Sequence, residues 1–391
     1  MIRQKSSLGV LNIDRDWLYL SDEATYAFEM NMRRTLLLED YDDVYVTDPS
    51  AVAAEAETLA MAIEFLLEHF PHRFQLSENG GTISTTTKGY EHSFKLASFA
   101  EQPLRLLGML IQEDVYLLQE QELPSDHADL PPLPRTNSRS APFPDYQFSD
   151  HIEEHPSGKQ HIFLSAVSTF SFEAKPRHKR SMASIHNPNV DRWYFHLQRG
   201  MNRLFSEMTP EISWYRHNYG FHDGDGWSGV LSHGFDWADR VVPGLREEKQ
   251  AAKAKRDADA KARQQQQEQA DARTQTQEVG GLPSKRLPGM WGRIAEGGDD
   301  YIRDKVWHRI EFQTLRRLPT SKYICFTVRT IADPMSTVEK FPGAAGALAA
   351  HIRRKQGLPK EMDLDSSASL LPYLDRVSER AGLRPGKVPT L

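Results

Sequence analysis

Two runs rich in β-branched and aromatic residues, Trp307–Leu315 (WHRIEFQTL) and Tyr323–Thr330 (YICFTVRT), are separated only by RRLPTSK. Neighbouring strands joined by so short a connector can pair only as an antiparallel hairpin, and Pro319 supplies the turn chemistry between them. A third run, His161–Phe172 (HIFLSAVSTFSF), has the same composition and predicts a buried strand at the start of a core sheet. ISWYRHNYGF, Ile212–Phe221, predicts a further extended segment. Helical stretches surround these strands. Asp16–Leu38 spaces apolar groups among charges, and Pro49–Phe70 is filled with strong helix formers and stopped by Pro71. Pro103 opens a predicted helix whose apolar face runs through Leu106, Leu110, Val115 and Leu118, and Trp193–Met208 predicts another, ended by Pro210. The N-terminal third is therefore expected to be mostly helical, apart from a Thr-rich extended segment after Gly80 and Gly81. The fold class is α+β.

Two segments interrupt this pattern. Leu123–Pro144 accumulates prolines and predicts a surface loop or spacer. Arg246–Arg273 holds no leucine, valine, isoleucine or aromatic residue, so it has no face to bury, and it predicts a low-complexity charged and Gln-rich insertion over 246–285. The expected organisation is one domain over 12–376 containing that insertion, followed by a flexible tail over 377–391.

Charge and cysteine usage narrow the function classes. Lys and Arg total 48 against 54 Asp and Glu, so the net charge of −6 offers no field for gathering nucleic-acid phosphates. A single cysteine, Cys325, excludes an internal disulfide framework and any site built from several thiolates of this chain. Cys325 lies in an apolar strand and reads as a small core residue. Asp14 interrupts the start before a secretory apolar core forms, and no run of eighteen apolar residues follows, so a cytoplasmic protein without membrane spans is expected.

Phosphate-cradling glycine loops, the dinucleotide fingerprint and the nucleophile elbow are all absent from the sequence. HDGDGW, His222–Trp227, places Trp227 at a calcium-ligand position, and HIEEH, His151–His155, lacks the glutamate a zincin helix needs after its first histidine. His151, His155 and His161 are therefore read as surface-loop residues, and KPRHKR, Lys175–Arg180, as a solvated basic cluster. Three other segments carry chemistry. IHNPNV, Ile185–Val190, presents His186 beside a proline-fixed turn, where an imidazole can ligate iron or be hydrogen-bonded structurally. RIEFQTLRRLP, Arg309–Pro319, alternates so that Arg309, Glu311 and Gln313 share one face of a strand. That row can line a cavity, with Glu311 holding a protonated amine and an arginine pairing with an acidic group, or it can be a solvated face. Arg216 and His217 stand among Trp214, Tyr215 and Tyr219, a combination able to hold a cation against aromatic faces or to be core.

The order of these blocks carries a resemblance. DWL (Asp16–Leu18), FPHRF (Phe70–Phe74), LLGMLIQEDVYLL (Leu106–Leu118) with its Gln-Glu-Asp triplet, IHNPNV, RHNY, RIEFQTLRRLP and CFTVRT together resemble the haem-dependent oxidative N-demethylase family, over about Asn12–Arg376. Departures include Asn187–Val190 in place of proline, valine, proline after the motif histidine, Phe312 in place of an arginine after the strand glutamate, and Ser181 where a glycine is usual. The resemblance implies a PAS-like antiparallel sheet with surrounding helices and a haem ligated by His186. It implies Arg309 and Arg316 near the haem propionates, and Glu311 with His217 as catalytic residues. The implied reaction removes a methyl group oxidatively from a small secondary amine, with NADPH-derived electrons arriving through a flavin or iron–sulfur reductase partner. A non-catalytic haem or small-ligand binder of PAS-like fold, and an interaction protein that has lost the haem, are the competing expectations.

Overall fold

The computed structural model describes residues 9–11, 16–38, 44–122, 159–170, 178–182, 199–223, 290–356 and 366–380. The insertion over 246–285, the proline-rich segment, the HIEEH string, His186 and most of HDGDGW lie outside the described residues. The chain divides into two compact units, one of residues 1–220 and 309–332, the other of 221–308 and 333–391.

The strands are β1 (Gly9–Leu11), β2 (Tyr45–Thr47), β3 (Phe74–Leu76), β4 (Thr82–Thr85), β5 (His92–Lys95), β6 (Asp114–Glu122), β7 (Lys159–Val167), β8 (Ser213–Asp223), β9 (Val306–Arg317) and β10 (Ile324–Pro334). The helices are α1 (Glu23–Leu38), α2 (Val52–His69), α3 (Pro103–Leu107), α4 (Arg199–Glu207), α5 (Met290–Lys305), α6 (Pro342–Gln356) and α7 (Leu371–Arg380). Seven strands form one sheet in the order β1-β8-β9-β10-β6-β7-β2, and β3-β4-β5 form a small second sheet. β6 pairs antiparallel with both β10 and β7, with a bulge between Leu117 and Leu118. The protein is thus a mixed helix and antiparallel-sheet structure.

The expected hairpin is present. Leu318 N–H donates to the Tyr323 carbonyl at 2.8 Å, and the hydroxyls of Thr314 and Thr327 meet at 2.5 Å across the two strands. Lys322 takes a left-handed φ of 64° in the connector, and the Glu57 carboxylate of α2 accepts from the Thr320 and Ser321 amides at 2.6 and 2.8 Å. One side chain therefore ties helix to turn and satisfies two loop donors.

Several expectations are corrected. The helix opened by Pro103 ends at Leu107 instead of running through Leu118, and Asp114–Glu122 is a central strand. The i, i+4 spacing of leucines in that stretch also fits a strand buried on both faces, and Val115, Tyr116, Leu117 and Leu118 are all fully buried between β7 and β10. Gly108 allows the exit from α3, because a Cβ there would sit 2.5 Å from Val167 Cγ2. His161 is not a surface-loop residue. It lies buried in β7, its ring edge-on to Phe205 at 4.9 Å. The N-terminal third also carries a whole small sheet beside its helices, and α7 runs through 377–380, where Val377 and Ser378 are buried.

In the first unit, α4 lays Phe205 on one face of the large sheet, where Tyr116, Leu118, Phe163, Leu315, Ile324 and Val328 form the core. The opposite face of β9 and β10 meets residues from α1 and the segment before it: the Arg316 guanidinium lies 4.8 Å over the Trp17 ring, and Arg329 pairs with Glu29 at 3.1 Å. Cys325 is buried, and burial pushes its thiol up to about 12, as befits an inert core residue.

The Gln-Glu-Asp triplet organises a buried ionic network. The Asp114 carboxylate accepts from the Thr169 and Phe170 amides at 2.8 and 2.9 Å and forms an ion pair with Arg33. Arg33 also donates to the Ile111 and Glu113 carbonyls and to Thr169 Oγ1, at 2.7–3.0 Å. Gln112 donates to Glu29 and accepts from the Ser21 amide at 2.9 Å, while Glu113 accepts from the Tyr19 amide at 2.7 Å. Burial lowers the pKa of Arg33, with Asp114 opposing that shift. Burial also raises the pKa values of Glu29 and Glu113, each opposed first by Arg329.

In the second unit, Ile294, Ile302, Val306, Met335, Ala345, Ala349, Tyr373 and Leu374 form a separate core. His308 stacks on Phe221 with ring centroids 5.2 Å apart, and burial lowers its pKa to about 4.

Removing one member of a buried, hydrogen-bonded ion pair strands the other, at about 3–5 kcal/mol. Arg33→Met is therefore expected to destabilise the protein by about that much in chemical denaturation, and a loss below about 1 kcal/mol would show that Asp114 does not depend on it. For His308, folding favours the neutral ring. Its contribution is complete above the unfolded pKa of about 6.5 and is lost as pH falls towards the folded value. Between about pH 7 and about pH 5 the wild type should lose about 2 kcal/mol more unfolding free energy than His308→Phe, and parallel pH profiles would contradict this.

Candidate functional site

Strands β8 and β9 are neighbours in the large sheet and carry the candidate site. Period-two alternation sends Arg309, Glu311 and Gln313 of β9 to one face, the one on which Leu315 packs into the core. On β8, Asn218 reaches Glu311, so Arg216 and Asn218 belong to that face, together with Trp214, which packs against the same cluster.

Glu311 and Gln313 are 1% and 5% exposed, which rules out a solvated strand face. Glu311 Oε1 lies 2.6 Å from Arg309 Nη1, while Oε2 accepts from Gln313 Nε2 at 2.7 Å and from Asn218 Nδ2 at 3.4 Å. A carboxylate buried this deeply is tolerated only when charge and hydrogen bonds compensate it, and all three partners are built for that. Arg309 is itself anchored, donating from Nη2 to the Phe170 carbonyl at 3.3 Å. Phe170 is held in turn by its amide on Asp114. Arg216 is half-buried. Burial lowers its pKa, and the Glu311 charge opposes that shift. Thr330 of β10 alternates onto the same face beyond Val328, fully buried, and among the described residues its Oγ1 has no hydrogen-bond partner.

The other expected site residues do not join this cluster. His217 projects to the opposite face of the sheet, where its ring lies 5.1 Å from Phe312 and 5.7 Å from Tyr215. Glu311 and His217 therefore do not share a site. Arg316, even-numbered on β9, is also on the opposite face, over Trp17. His186 lies outside the described residues. Among the described residues, no group of three or more histidine, cysteine and carboxylate side chains converges as a metal site. Sequence reasoning placed Arg216 among cation-binding aromatics and overlooked Thr330. The signal was available for Arg216, because RHNY puts an arginine two residues before Asn218.

The chain belongs to the haem-dependent oxidative N-demethylase, alpha subunit-like family, whose profile matches residues 9–287 and 289–363. No curated protein matches the chain. No helix of the described residues is long and apolar enough to cross a membrane. The described residues fit a haem in part: guanidinium groups on a buried sheet face suit propionates, and the compensated Glu311 suits a polar substrate, while the imidazole expected to ligate the iron lies outside the described residues.

Proposed function

We propose that this protein is a haem-dependent oxidative N-demethylase acting on a small secondary amine or an N-methylated metabolite, with the large antiparallel sheet serving as a PAS-like haem-binding scaffold. The observation that carries the reading is a buried glutamate with incomplete coordination, in a chain of this family. A carboxylate offers about four lone-pair sites. Among the described residues, Arg309, Gln313 and Asn218 take three at Glu311, which leaves one site for a further donor such as a protonated amine. The remainder of a small amine would lie against the apolar side of the same face, where Tyr116 and Phe326 approach within 5.8 Å of each other.

Haem, when bound, supplies the oxygen chemistry that oxidises an N-methyl group so that its carbon leaves as formaldehyde, with two electrons drawn from NADPH through a flavin or iron–sulfur reductase partner. The chain's own residues bind and orient. His186 would ligate the iron, Arg309 would balance Glu311 and stand near a propionate, and Glu311 would hold the ammonium hydrogen and so fix which N-substituent is presented. The buried aromatic face would exclude water from that contact. Electrons would come from a separate reductase, and the cytoplasm is the proposed compartment.

Glu311→Gln keeps shape and hydrogen-bonding capacity but removes the charge. It is expected to weaken dimethylamine binding by roughly 10- to 100-fold with haem content unchanged. His186→Ala should give a folded protein with lost or displaced haem. Pyridine-haemochrome content and amine titrations on both variants are the measurements. Unchanged amine affinity in the first variant would return Glu311 to a structural role, and wild-type haem content and spectrum in the second would refute iron ligation by His186.

A further inference from the structure

We propose that Arg216 is a carboxylate receptor, so that the Glu311 site binds a ligand presenting an anionic carboxylate beside its other contacts. The substrate class this favours is an N-methyl amino acid, in which ammonium and carboxylate are two or three bonds apart. The inference rests on the reading of Glu311 as the amine contact.

Among the described residues of β8 and β9 on this face, two guanidinium groups, Arg216 and Arg309, stand against one carboxylate, Glu311. Arg309 spends its charge on Glu311 at 2.6 Å. The remaining oxygen of Glu311 is occupied by the amides of Gln313 and Asn218. Arg216 feels the Glu311 charge, which opposes the lowering of its pKa by burial, but among the described residues it makes neither a hydrogen bond nor an ion pair. A half-buried arginine ordinarily finds a fixed anion or carbonyl, because its desolvation is otherwise uncompensated. A second polar group on this face is in the same condition: the Thr330 hydroxyl is fully buried without a partner among the described residues. Arg216 and Thr330 stand on β8 and β10, the strands either side of Glu311's β9, and supply a guanidinium and a hydroxyl suited to a carboxylate, since arginine presents paired donors in the geometry of its two oxygens. Amine recognition alone would leave both donors unused.

A carboxylate can come from the substrate or from a haem propionate, and two pairs of probes separate these sources. Binding to the full-length protein is measured for N-methylglycine against N-methylethylamine, and for haemin against haemin dimethyl ester, in which the propionates are esterified. Wild type should bind N-methylglycine more tightly than N-methylethylamine. If the carboxylate is the substrate's, Arg216→Gln should lose roughly 10- to 100-fold in N-methylglycine affinity and leave N-methylethylamine unchanged. If it is the cofactor's, the same variant should lose a similar factor for haemin and none for the dimethyl ester. Arg216→Lys should recover part of either loss, which a merely structural role would not produce. Circular dichroism and melting curves establish that the variants are folded, and Thr330→Val provides a second variant, expected to shift the same carboxylate probe in the same direction. Wild-type affinity for both carboxylate probes in folded Arg216→Gln would overturn the inference. The reading of Glu311 fails in a different way, through Glu311→Gln binding N-methylethylamine as tightly as wild type does.

Discussion

The buried pair of Arg33 and Asp114 is the constraint from which the first unit is organised. Neither side chain is exposed, and each is fully engaged: Arg33 holds two carbonyls of the turn before β6, and Asp114 holds two amides just past β7. Hydrophobic burial alone would allow α1 to slide on the sheet, whereas charged groups without water tolerate almost no displacement. The pair therefore fixes helix, central strand and following turn in one arrangement. Its influence reaches the candidate site through a short chain of contacts, since the Phe170 amide is held by Asp114 while its carbonyl accepts from Arg309, the partner of Glu311.

The two faces of β8 and β9 divide the labour. One face presents Arg216, Asn218, Arg309, Glu311 and Gln313 beside the apolar cluster around Phe205 and Val328. The other presents His217, Phe312 and Arg316 to ring stacking and to Trp17. This division matters for function because residues one position apart in sequence are separated by the sheet itself. RHNY thus gives its arginine and asparagine to the site and its histidine to packing.

Much of this was legible in the sequence. Alternation in RIEFQTL placed Arg309, Glu311 and Gln313 on one face because strand periodicity is fixed by backbone geometry. The hairpin followed from two β-rich runs and a short connector. Other features were not legible, for identifiable reasons. LIQEDVYLL carries leucines at helical spacing, and only its position between β7 and β10 makes it a strand. The sequence places His161 both as the first residue of a buried strand and with the loop histidines His151 and His155, and its packing against Phe205, some forty residues away, decides for the strand. Glu311 could be read as solvated or buried from sequence alone; the choice is made by Leu315, Val328 and their neighbours packing on the same face.

The family assignment implies haem, and the proposed function seats it against the large sheet. The direct measurement is the visible absorption spectrum of the full-length protein purified from haem-supplemented cells. The account predicts a Soret band that shifts when dimethylamine is added, as it would if an amine bound in the haem's pocket. A folded protein without a Soret band, after purification and after addition of excess haemin, would contradict it.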